Sequence, residues 1–152
     1  VLRALLARRQ DDLRVFRATA RLPGFARQLS QILRELRQHR VEPRRLQELS
    51  LHADLPSSLR DKLHDLALLS QAYLDWLNAH QLQDADARLD LAAAALAGSP
   101  SSGGNGRGSP SLELGGLWLD GFAEMTPQEV HLLVNLLRRC PRATLAFCLD
   151  AE

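Results

Sequence analysis

Leu117-Trp118-Leu119-Asp120-Gly121-Phe122, followed by Met125-Thr126-Pro127-Gln128-Glu129, is the stretch whose residue types and order suggest chemistry. An apolar run ends in one Asp, passes through a Gly-containing turn and restarts as a helix. A carboxylate at the C-terminal end of a buried strand is where nucleoside-triphosphate motors hold Mg²⁺. An active motor follows that Asp with a Glu that orients or deprotonates the attacking water. Here Gly121 follows instead. The segment therefore reads as a nucleotide-site remnant that binds at most and does not hydrolyse. Asp120 also has a plain role open to it, capping or bonding at the strand end. With no phosphate-binding loop in view, that structural role is favoured.

The remaining reactive side chains form no constellation. His39, His52, His64, His80 and His131 are scattered without metal-type spacing. Cys140 and Cys148 form no CxxC pair, and Cys148 sits in an apolar run, so a small buried hydrophobe in a reducing, cytoplasmic setting is expected. No Ser/His/Asp, HExxH or carboxylate–Lys nuclease pattern is present, and no catalytic residue is assigned. Phe122 and Met125 read as packing residues, Trp118 as a buried strand residue, and Trp76 as a helix residue off the main stripe, suited to an interface.

Charge is the second functional signal. The net charge of +1 hides an asymmetry. Residues 1–45 carry 12 Arg against four acids, a balance of +8. Residues 46–98 balance to −5, and the remainder to −2. A basic N-terminal third suits a phosphate-facing surface, with Arg27, Arg34, Arg37, Arg44 and Arg45 as candidate DNA-backbone contacts. The plain alternative is that long Arg side chains solvate the outer faces of two helices, and an 18-to-1 bias of Arg over Lys fits a compositional habit.

The elements that would position these residues are mostly helical. Leu2, Leu5, Leu6, Leu13, Phe16 and Ala20 predict a helix over residues 2–21, broken at Pro23-Gly24, with Pro23 suited to the first turn of the next helix. Phe25, Leu29, Ile32, Leu33 and Leu36 give the cleanest amphipathic helix, ended by Val41-Glu42-Pro43. A short helix is expected around Leu46 and Leu49. A long one runs from Pro56-Ser57-Ser58 to about His80, capped by Ser58 with Asp61 and striped by Leu59, Leu63, Leu66, Tyr73 and Leu77. Asp84 can cap an Ala-rich helix over about 86–97. Residues 98–111 are a Gly/Ser/Pro-rich flexible linker.

Beyond the linker the period changes. Leu117 to Leu119 predicts a short buried strand. Thr126-Pro127-Gln128-Glu129 is a capping box with Pro at the first helical position, with Val130, Leu133, Val134 and Leu137 as its buried face and Arg138 and Arg139 in its last turn. Ala143 to Leu149 is a second apolar strand ending in Asp150. Strand–helix–strand over so few residues implies two parallel strands with a right-handed crossover. The expected fold is mainly α with a small α/β part. About five helices form a helical subdomain (1–97), the linker (98–111) follows, and a β-α-β piece (112–152) belongs to a parallel sheet whose other strands lie outside the chain. The length suffices for one core. No apolar run reaches the length of a membrane span, and the chain reads as a piece of a longer protein.

These residues resemble a known family. Trp118-Leu119-Asp120-Gly121-Phe122, a two-residue gap and Met125-Thr126-Pro127-Gln128-Glu129 are similar to the "DGF–x–x–FTPQE" segment of AddB/RexB, the B subunit of the bacterial ATP-dependent helicase–nuclease that processes double-strand DNA breaks. Pro23-Gly24-Phe25 with Leu29, Ile32 and Glu35-Leu36 resembles that family's "GF…L…I.EL" helix. Lys62 to Leu68 followed by Tyr73 resembles its "KL.DLA.IY..Y" helix, and Leu145 to Asp150 its strand closing on "LD".

The resemblance implies a superfamily 1 helicase-like lobe with an inserted helical subdomain and a degenerate second motif. Gly121 replaces the Glu of an active motor, Ala123-Glu124 replaces its Gln-Asp, and Glu129 stands at a later Gln position. It further implies a non-catalytic segment that scaffolds single-stranded DNA and contacts an AddA-like motor subunit in break repair and recombination. No cofactor is expected within the segment, and Mg²⁺ and ATP are left open for the full-length parent. An ATP-binding or ATP-hydrolysing helicase lobe, or a helical protein-interaction domain without a nucleic-acid role, are the alternatives.

Overall fold

A computed structural model describes residues 1–97 and 114–148. The linker expected at 98–111 and the expected Leu149-Asp150 strand end lie outside the described residues. The fold is mainly α with a two-stranded parallel sheet, as the sequence predicts. The chain divides into two compact units, Val1–Asp86 and Ala87–Glu152.

The first unit holds α1 (Leu2–Arg9), α2 (Phe25–Gln38), α3 (Pro43–Ser50) and α4 (Ser57–Ala79). Its core is Leu6, Leu13, Leu29, Leu33 and Leu69, with Phe16 and Phe25 packed against it at a ring separation of 5.2 Å. Each buried Leu contributes roughly 2 kcal/mol relative to exposure. The helix expected over 2–21 is shorter. α1 ends at Arg9, a 3₁₀ turn covers Gln10–Asp12, and Leu13 is extended. The cause is Asp65, which lies on α4 and is fully buried. Its carboxylate accepts the backbone N–H groups of Arg14, Val15 and Phe16 at 2.9 to 3.1 Å. A charged acceptor binding three successive N–H groups outcompetes the i→i−4 ladder those groups would otherwise enter.

Helix ends are set by backbone geometry more than by side-chain caps. Gly24 at φ +94° is the N-cap of α2, so Pro23 precedes the cap rather than entering the first turn. Arg40 (φ 55°) and Gln81 (φ 53°) close α2 and α4 in left-handed conformation. In each case the next residue's N–H reaches back five residues, Val41 to Leu36 and Leu82 to Leu77, which forms a Schellman closure without glycine. The expected Ser58–Asp61 cap does not form. Pro56 is the N-cap of α4, and Asp61 instead pairs with Arg14 at 2.8 Å. Leu59 and Ile32, expected on buried stripes, are exposed. Leu59 lies in the first turn of α4, ahead of the buried positions, which begin at Asp65.

The second unit holds α5 (Arg88–Ala97), β1 (Leu117–Phe122), α6 (Pro127–Leu137) and β2 (Ala143–Phe147). α5 packs on α6 around Ala93, Leu133 and Asn135. The Gln128 amide donates to Asp90 at 2.8 Å, and the Arg139 guanidinium donates to the Leu96 carbonyl near the end of α5. β1 and β2 are parallel, with Leu117, Trp118 and Leu119 opposite Ala143, Thr144 and Leu145. Several expectations of burial fail here. Trp118 is 74% exposed, Val130 and Val134 are exposed, and every residue of β2 is exposed. Cys148, expected to be buried, is exposed as well. Each strand has only the other as a ladder neighbour among the described residues, so the outer edges of both strands are left unpaired there.

Candidate functional site

Asp120 and Gly121 do not end the first strand. β1 continues to Phe122, and the register slips between Leu119 and Phe122, so that three steps on β1 oppose two on β2. The pair forms a β-bulge with Gly121 at φ +82°. The turn expected at Gly121 is thus a bulge inside the strand. No neighbouring atom lies within 4 Å of a Cβ built on Gly121, so the glycine answers to backbone conformation and not to crowding. The position a motor's Glu would occupy is one that a residue with a side chain adopts only under strain.

Asp120 is exposed and has no hydrogen bond or ion pair among the described residues. Glu124 is also exposed. Glu129 is committed elsewhere. Its carboxylate accepts the Thr126 N–H at 2.7 Å and the Thr126 hydroxyl at 2.8 Å, while its own N–H donates to the Thr126 hydroxyl. The predicted capping box is therefore complete. Mg²⁺ at a nucleotide site needs phosphate oxygens together with one or two fixed carboxylates. A lone exposed Asp on a bulge does not meet that need, so the described residues do not by themselves fit a Mg–nucleotide group.

The five candidate arginines separate by environment. Arg37 is locked: its side chain is 19% exposed, its guanidinium bonds Asp84, and it lies over the Tyr73 ring at 5.5 Å. Tyr73 donates its hydroxyl to the same carboxylate at 3.0 Å. Burial foremost, and then the bond to Asp84, raise the Tyr73 phenol above its usual value. Arg34 pairs with Asp86 at 3.3 Å. Arg44 and Arg45 both pair with Glu48, so one acid answers two guanidinium groups. Their side chains are 87% and 62% exposed, and pairs of that kind contribute little and exchange readily for phosphate. Arg27 on α2 is exposed and has no partner among the described residues. Arg27, Arg44 and Arg45 are available to a phosphate, whereas Arg37 is part of the framework.

Three organising residues carry no strong sequence signal. Asp65 sits in a helix pattern, where an isolated Asp ordinarily faces water. Gln128 is buried on Asp90, although its place after the Pro of a capping box predicts only helix start. Asp84, expected as a cap, does accept the Asp86 N–H at 3.1 Å, but the same carboxylate also gathers Arg37 and Tyr73.

Comparison with known sequences covers the whole chain. The family described as "ADDB, N-terminal" matches residues 1–152. The B subunit of the ATP-dependent helicase/deoxyribonuclease of Desulforamulus reducens is 36% identical over 152 residues, 99% of this chain. The same-named proteins of Heliobacterium modesticaldum and Symbiobacterium thermophilum are 37% and 35% identical, over 99% and 98% of this chain. The chain spans 12% of the length of each of these relatives.

Proposed function

The chain belongs to the AddB N-terminal family, and from that premise we propose that it is a helicase-like, non-catalytic segment of the B subunit of an ATP-dependent helicase/deoxyribonuclease. Its task is to hold single-stranded DNA and to contact an AddA-like motor subunit during double-strand break repair and recombination, in the cytoplasm. The observation that carries the non-catalytic part is the Asp120-Gly121 bulge. The expected Glu is missing, and the backbone at Gly121 is left-handed. The segment takes no cofactor of its own, and Mg²⁺ and ATP are handled elsewhere in the parent assembly.

The DNA part is supported by the +8 balance of residues 1–45 and by the available guanidinium groups among them. DNA held through phosphates releases counterions, so its affinity falls steeply with salt. Binding of oligo-dT by the full-length subunit, measured across a salt series, tests this reading. Affinity that falls linearly on logarithmic axes is expected. Absent or salt-independent binding would instead favour a helical protein-interaction domain.

A further inference from the structure

We infer that the groove where the first turns of α1 and α2 meet the last turns of α4 is a single-stranded DNA subsite, in which Trp76 stacks a base and Arg3 and Arg27 neutralise the flanking phosphates. This rests on the DNA-scaffold reading above and gives it a place. The groove encloses about 500 Å³ and is lined by Arg3, Arg27, Ser30, Tyr73 and Trp76 among others. That volume is in the range of pockets that hold small organic groups. Among the described residues, no acidic side chain lines it.

The electrostatic contrast with the adjoining groove is the first argument. There, Arg34 and Arg37 face Asp84 and Asp86 and are neutralised by them. In the proposed subsite Arg3 and Arg27 have no partner among the described residues, so two positive charges remain for a ligand. The two grooves share Tyr73, which ties the charged subsite to the rigid Arg37–Asp84 framework.

The second argument is the aromatic wall. Trp76 is stacked on His80 with ring centroids 4.2 Å apart and planes 26° from parallel. The His80 Nδ1–H donates to the Trp76 carbonyl at 2.8 Å, which fixes the histidine beneath the indole. Trp76 lines the groove and His80 does not. A braced indole and two free guanidinium groups lining one groove supply what a single strand presents, a flat base and its phosphates. An acidic peptide would use the charges but would leave the indole without a purpose. Duplex DNA would offer the indole no unstacked base.

The test uses the full-length subunit and oligo-dT containing 2-aminopurine, whose fluorescence reports stacking. Trp76→Ala is expected to weaken binding about tenfold and to abolish stacking-dependent quenching, whereas Trp76→Phe retains both in large part. Arg3→Ala with Arg27→Ala is expected to reduce the slope of log affinity against log salt by about 1.4, two phosphates at about 0.7 each for a single strand. Oligo-dT binding that keeps its affinity, quenching and salt slope in these variants overturns the subsite and leaves the DNA-scaffold reading standing. Absence of salt-dependent binding in the unaltered subunit overturns both. Displacement of oligo-dT by poly-glutamate of equal charge, with Trp76→Ala silent, overturns the subsite in favour of an acidic protein partner.

Discussion

Two aspartates, one in each unit, exchange the roles their sequence contexts suggest. Asp120 stands at the end of an apolar run, where a capping or bonding role is favoured over a metal ligand, yet it is exposed on a bulge without a partner among the described residues. Asp65 stands in the middle of a helix pattern, where a solvated charge is expected, yet it is fully buried and organises the chain reversal after α1. The first unit commits its buried carboxylate to architecture and carries exposed guanidinium groups on its surface. The second unit leaves its exposed carboxylate beside a left-handed glycine, with no donor aimed at it among the described residues. A carboxylate's role is therefore decided by how many donors the fold aims at it, and sequence position alone does not report that number.

The largest way to break this comparison is Asp65→Ala. Three part-buried N–H groups would lose their carboxylate acceptor, and a loss of about 3 kcal/mol is expected. Equilibrium denaturation gives the magnitude. Amide exchange should show residues 14–16 opening while α6 keeps its protection. Equal loss of protection in both units would show that Asp65 is not a local organiser.

Next comes Gly121→Glu, which rebuilds the motor's Asp-Glu pair. Placing a side chain at φ +82° should cost about 1–2 kcal/mol. No ATP turnover should appear. A stable variant that hydrolyses ATP would mean that the bulge relaxes readily and that Gly121 alone silences the site. Thr126→Ala then sharpens the picture of the second unit. Loss of the capping box should cost about 1 kcal/mol, read as faster amide exchange in the first turn of α6. No change would mean that α6 is held by its packing on α5.

The smallest effect concerns Tyr73. Its folded value lies above the ordinary 10.0, because burial and the bond to Asp84 favour the neutral phenol. The contribution of that group to stability is therefore fully present below pH 10 and is lost as pH rises through the folded value. A denaturation series at high pH should show the unaltered protein losing stability relative to Tyr73→Phe. Parallel curves for the two proteins would show that the Arg37–Asp84–Tyr73 cluster does not hold the phenol neutral.

Much of the architecture is legible in the sequence where the signal is local. The α2 helix, the short helix around Leu46 and Leu49, the Thr126–Glu129 capping box and the parallel strand pairing all follow from periodicity or from residues a few positions apart. What is not legible depends on distant partners. Residues 14–16 have a helical pattern, and only a carboxylate some 50 positions away redirects them. Trp118 and β2 read as buried because apolar strands usually are, and burial needs neighbouring strands that the described residues do not provide. At the candidate site, the residue types are visible in the sequence and their pairing is not. Arg34 and Arg37 look equivalent to Arg27 in sequence until Asp84 and Asp86 fold against them.

ATP turnover by the purified full-length subunit, with and without single-stranded DNA, tests the central claim most directly when compared with Asp120→Ala. Turnover at background in both proteins is predicted, because the bulged Asp120-Gly121 pair offers neither a fixed metal site nor a group to activate water. DNA-stimulated turnover that Asp120→Ala abolishes would contradict the account and make this segment part of a working motor.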